Sequence, residues 1–108
     1  LLDTNFVKSQ KINSEVLPVY HVFSVVCKIN RDELSLFLKQ KGIQTNIYYK
    51  MPLFNQKGYL NIFKNKNICK NAEFLSQSII ALPIYPEIDE GIINKVSKNI
   101  NKYFGTLN

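Results

Sequence analysis

Few side chains in this sequence could do acid–base, nucleophilic or metal chemistry. Its one histidine, His21, stands in the apolar run PVYHVFSVVCKI, with no spaced nucleophile signature to complete a Ser-His-Asp set. Among such neighbours an imidazole is expected as a core or cleft residue rather than a general base. Carboxylates cluster in RDEL and PEIDE, but both stretches open helices, where Asp and Glu satisfy backbone donors and the dipole. Cys27 and Cys69 lack CxxC spacing, and one histidine cannot complete a zinc site. The four glycines, at 42, 58, 91 and 105, are too dispersed for a phosphate loop. By residue inventory, no catalytic group belongs to this chain.

One stretch remains, GIQTNIYYKMPLFNQKGY, residues 42–59, which places Tyr48, Tyr49, Phe54 and Tyr59 around Pro52. An exposed hairpin edge would account for it. So would a pocket wall, because each tyrosine supplies apolar contact and a hydroxyl for a bound molecule. A sugar, with C–H faces and hydroxyl edges, matches such a surface.

These residues must be held by elements legible in the pattern. Residues 1–15 are polar and weakly patterned, a lead-in rather than an element. Pro18 to Ile29 is dense in β-branched and aromatic residues and predicts a long strand, apolar on both faces and therefore central or covered twice. NRDELSLFLKQKG predicts a helix, with Asn30 as N-cap, Glu33 completing a capping box, and Leu34, Phe37 and Leu38 on the buried stripe. Gly42 supplies the left-handed residue that ends it. A second strand is expected over Ile43–Tyr48, then a long exposed connection over residues 55–70. A helix follows over Asn71–Ser78, with Ala72 and Leu75 inward, and a short buried strand over Ile79–Pro83. Asp89 caps a last helix whose stripe is Ile92, Ile93, Val96, Ile100, Tyr103 and Phe104. This order predicts an α+β fold, a small sheet with helices on one face.

With 108 residues, 45% hydrophobic, the chain has the size and apolar content of one folded domain. No apolar run reaches the ~20 residues that span a membrane, and no signal-peptide pattern opens the sequence. Two cysteines without a framework fit reduced thiols in a cytoplasmic protein. Met51 is the sole methionine, so the sequence reads as a piece of a larger protein. The net charge of +6 raises a nucleic-acid reading. However, the lysines are scattered, Arg31 is the only arginine, and the first strand lacks the Lys/Arg-Gly-aromatic pattern of an RRM.

The segments YHVFSVVCKINRDELSLFLKQKGIQTNIYYKMPLF and ALPIYPEID together resemble the C-terminal small domain of the DegT/DnrJ/EryC1/StrS family. These are pyridoxal-phosphate-dependent sugar aminotransferases of fold type I. The resemblance runs from about residue 16 to 104, through His21, Arg31–Leu34, Gly42–Thr45, Tyr48–Phe54 and Leu82–Pro86. It implies residues 1–15 as the lead-in from a large domain, residues 16–108 as the small domain, and an α+β sheet with helices on one face. Tyr48 and Phe54 stand where the family carries histidines, near the sugar-nucleotide substrate, while Tyr49 and Pro52 match. The resemblance therefore implies Tyr48, Tyr49 and Phe54, with His21, as substrate-lining residues. It also implies that pyridoxal phosphate and its lysine belong to the large domain, with glutamate as donor, a homodimer when full length, and a place in polysaccharide biosynthesis. The isolated chain would then be inactive, and the surface meeting the large domain apolar. A basic RNA-binding module, or a dehydratase or regulator of the same family, are the alternatives.

Overall fold

The structure is a computed structural model and describes residues 1–62 and 69–107. Three antiparallel strands, β1 (Val7–Ser9), β2 (Phe23–Cys27) and β3 (Ile79–Leu82), form one sheet in the order β1-β2-β3. Val7 pairs with Cys27 on one side, and Phe23 with Leu82 on the other. β2 is thus the central strand, as its apolar character on both faces predicts. Three helices, α1 (Arg31–Gln40), α2 (Lys70–Ser78) and α3 (Glu90–Gly105), complete the expected α+β fold. The core joins the sheet to α1 and α3 through Val25, Cys27, Leu34, Leu38, Ile80, Ile100 and Phe104.

Several expectations need correction. Residues 1–15 do contain an element, β1, and Phe6 beside it stacks on Phe104 with ring centroids 4.9 Å apart. The long strand expected over 18–29 contracts to five residues. A ladder extends only as far as its partners, and β1 and β3 offer three and four residues. The strand expected over Ile43–Tyr48 is a single antiparallel bridge, Asn46 to Ala81, closed by N···O distances of 3.1 and 2.7 Å. Of the connection over 55–70, residues 63–68 lie outside the described residues; Leu53–Asn55 and Lys57–Tyr59 form short 3-10 turns.

At the head of α1, Asn30 adopts φ 51°, ψ 40° and makes no side-chain cap bond. Glu33 does not close a capping box either; its Oε2 accepts a hydrogen bond from the Tyr103 hydroxyl of α3 at 3.1 Å. Burial, and after it the hydrogen bond and charge of Glu33, raise the Tyr103 phenol above its ordinary pKa. Gly42 fulfils its expected role at φ 70°.

α2 departs most from its predicted orientation. Ser76 and Ser78 are its buried residues, Ala72 is half-buried, and Leu75 is 39% exposed rather than turned inward. Small hydroxyl side chains let the helix approach closely, and their polarity is met locally by Glu73 O and Phe74 O. The junction from α2 into β3 is held from outside by Arg31. Its Nη1 donates to Ile79 O at 2.8 Å and its Nη2 to Ser76 O at 3.2 Å. The capping expectation at Asp89 holds, its Oδ1 accepting from Ile92 N at 2.8 Å. The stripe of α3 is buried at Val96, Ile100, Tyr103 and Phe104, whereas Ile93 is partly exposed.

Candidate functional site

Two cavities meet at the segment that follows α1. Gly42 turns the chain back, Ile43 anchors it in the core, and the Asn46–Ala81 bridge fixes it beside β3. Tyr48 therefore projects from a pinned backbone, 47% exposed, with Tyr49 next to it at 74%. Their rings meet edge-to-face, centroids 5.7 Å apart.

The first cavity, about 580 Å³, lies between this segment, the end of β3 and the first turns of α3. Its polar lining is His21, Gln44, Asn46, Tyr48, Tyr85 and Lys95. Its apolar wall includes Val22, Ile43, Leu82 and Ile84. The second cavity, about 430 Å³, runs between residues 48–56 and α2, with Tyr48, Tyr49, Met51, Leu53 and Leu75 in its wall. A third, about 480 Å³ and mostly apolar, lies between the N-terminal residues and α3.

Tyr48 thus belongs to both of the first two cavities, His21 to the first alone and Tyr49 to the second alone. Phe54 is half-buried and lines none of the three. His21 is exposed rather than a core residue. Sequence reasoning missed Gln44, Asn46, Tyr85 and Lys95. The signals were present: Tyr85 sits in ALPIYPEID, and Lys95 follows Ile92 by three residues on one helix face.

Among the described residues no cluster of three His, Cys, Asp or Glu could hold a metal, and no helix is long and apolar enough to cross a membrane. Cys27 and Cys69 are free, one buried and one exposed. Burial pushes the Cys27 thiol up to about 11, against a smaller lowering by Arg31.

The sequence model of the DegT/DnrJ/EryC1/StrS aminotransferase family matches residues 2–101. The chain belongs to this family. It is 32% identical over 87 residues to a pleiotropic regulatory protein of Geobacillus stearothermophilus, covering 79% of this chain and 23% of that protein. It is 30% identical over 84 residues to a UDP-N-acetyl-3-dehydro-alpha-D-glucosamine 3-aminotransferase of Acidithiobacillus ferrooxidans, covering 78% and 22%. Among solved structures, a DegT DnrJ EryC1 StrS aminotransferase from Brucella abortus superposes with a TM-score of 0.80 at 26% identity, over 92% of this chain and 26% of that one. S. venezuelae DesV, in complex with a ketimine intermediate, shares the fold with a TM-score of 0.82 at 23% identity, over 91% and 26%. The chain spans about a quarter of the length of these family members.

Pyridoxal phosphate does not fit the residues present. Among the described residues, Lys95 is the only lysine at any of the three cavities, and it is solvent-exposed. No carboxylate lines its cavity to face a pyridinium nitrogen.

Proposed function

We propose that this chain is the small domain of a nucleotide-sugar aminotransferase, binding and orienting a keto-sugar whose amination is carried out elsewhere in a longer polypeptide. The opening residues, β1 included, are part of the cap, which follows a cofactor-holding large domain. Pyridoxal phosphate, held by that domain, supplies the amino-transfer chemistry. Here Tyr48 and Tyr49 offer ring faces and hydroxyls to the sugar, with Phe54 buttressing their loop and His21 at the adjoining cavity. The cap limits access of water to the reacting carbon.

The observation that carries this reading is the family match across 2–101, joined to a tyrosine pair held at the mouth of two cavities by a fixed backbone. The exposed apolar side chains suit a covered face: Leu17 is 92% exposed, Val19 96%, and Met51, Leu53 and Phe74 are all accessible. Single exposed apolar residues are ordinary, but Met51 and Leu53 share the wall of the second cavity with Leu75, and grouped apolar exposure marks a contact surface. In the intact protein that surface meets the large domain and its dimer mate. Free thiols at Cys27 and Cys69 suit a cytoplasmic enzyme.

The test is amino transfer by the longer protein loaded with pyridoxal phosphate. Glutamate and a UDP- or dTDP-linked keto-sugar should give the amino sugar and 2-oxoglutarate in equal amounts. The 108-residue chain alone should give neither product nor a visible cofactor band. A longer protein that binds the cofactor, leaves glutamate unconsumed and alters transcription would instead favour a regulator, a reading the Geobacillus relative's name suggests.

A further inference from the structure

α1 is seated in the core by Leu34 and Leu38, both fully buried, so its first turns are a fixed reference for whatever they touch. Arg31 and Ser35 lie four positions apart on one face of this helix. From that face they reach the two walls of the second cavity. Arg31 donates to Ser76 O at 3.2 Å and to Ile79 O at 2.8 Å, and Ser76 and Ile79 both belong to the α2 side of the lining. Ser35 shares a hydrogen bond of 2.9 Å with the Thr45 hydroxyl, three residues before Tyr48 on the other side. The Asn46–Ala81 bridge ties the Tyr48 segment to β3, and the Ser35 bond adds a tie to α1. Arg31 is buried, and Ser35 and Thr45 are half-buried, so water competes little for these bonds. None of the three lines the cavity itself. One helix face thus holds both sides of a space of about 430 Å³ on which the tyrosine pair opens.

We propose that α1 sets the width of the second cavity through Arg31 and Ser35, which makes them positioning residues for the sugar received by Tyr48 and Tyr49. These roles rest on the function proposed above. Arginine suits the α2 side because its planar fork meets two carbonyls at once and fixes their spacing, which a single ammonium cannot do. The Ser35–Thr45 pair is short and neutral, so its removal frees the Tyr48 segment at little cost to the core. A cavity whose walls drift apart holds a sugar ring less closely, and affinity falls with each tie lost.

Hydrogen exchange, followed by mass spectrometry in the longer protein loaded with pyridoxal phosphate, reads the two walls separately. Ser35→Ala and Thr45→Val should each speed exchange over residues 44–49 about fivefold, and the double variant no further, because the two share one bond. Arg31→Lys keeps the charge but meets a single carbonyl, and should speed exchange over residues 76–82 about tenfold. Exchange over residues 96–104 of α3 should not change in any of them. Titration calorimetry with UDP-N-acetylglucosamine and dTDP-glucose should show each single variant binding about three- to tenfold more weakly. Ser97, whose hydroxyl donates to Ile93 O outside this cavity, is the control: Ser97→Ala should leave both walls and both affinities as in the parent. Exchange that rises equally in α3 makes these residues props of overall stability and overturns the proposal. So do unchanged walls, or affinities within about twofold of the parent. If Arg31→Lys fails to fold, the Ser35 and Thr45 variants decide alone. A parent that binds neither probe refutes the sugar reading, while wall-specific exchange still upholds α1 as the part that sets the cavity.

Discussion

Arg31 offers the sharpest test of how this fold is held. Its side chain is 5% exposed, and the guanidinium donates to Ile79 O and Ser76 O, closing the turn between α2 and β3. Nε lies 2.9 Å from Asp32 Oδ1 but does not point at it well enough to make a hydrogen bond, and the Asp32 side chain is 70% exposed. An ion pair of that kind contributes ~0–1 kcal/mol. The two carbonyl contacts matter more, at ~1.5 kcal/mol or above for each bond from a charged donor, and their loss leaves buried acceptors unmet. Arg31→Met, which keeps the stem, should therefore cost ~3 kcal/mol, whereas Asp32→Asn should cost less than ~1 kcal/mol. For a domain of this size the arginine variant should melt ~10–20 °C lower. Urea unfolding followed by circular dichroism measures both variants in one series. The reasoning fails if Arg31→Met stays within ~1 kcal/mol of the parent, or if Asp32→Asn costs as much as the arginine change.

Two further outcomes follow from local chemistry. Asp89→Ala removes the only N-terminal side-chain cap on α1, α2 or α3 among the described residues and should destabilise the chain by ~1 kcal/mol, read from the urea midpoint. Cys69 should react with a thiol reagent in the folded chain while Cys27 reacts only on unfolding. Because burial raises the Cys27 pKa from 9.0 to about 11, the folded chain holds that proton more tightly than the unfolded one. This contribution to stability, of order 2 kcal/mol, is complete below pH ~9 and lost as the pH rises towards 11. Cys27→Ser should flatten the alkaline limb of a stability–pH curve, and an unchanged limb would contradict the assignment.

The helices were legible because their signals are local. The Leu34–Leu38 spacing, Gly42 and Asp89 each specify an end or a face without reference to distant partners. The strands were read too long because pairing depends on residues far away. Nothing near Pro18 reveals that β3 contributes only Ile79–Leu82. Asn30 and Glu33, assigned to local capping by sequence, make no side-chain cap, and Arg31, given no structural role by sequence, reaches a distant turn. Two of them instead bond to α3 or to the α2–β3 turn. The aromatic stretch was the right place to look for a site, but its partition was hidden. Tyr48 faces both cavities only because the Asn46–Ala81 bridge sets the backbone beside β3, and Lys95 joins it across some fifty positions of sequence.

The contacts between the first residues and α3 carry a temporal consequence. Asp3 N donates to Asn101 Oδ1 at 3.0 Å, Asn101 Nδ2 donates to Leu1 O at 2.8 Å, and Phe6 lies flat on Phe104. During synthesis residues 1–6 emerge well before α3, so their resting place does not exist until the ribosome has delivered that helix. β1 must therefore wait as unpaired chain beside a growing sheet, and closure of the domain is a late event that joins the oldest and newest residues of the segment.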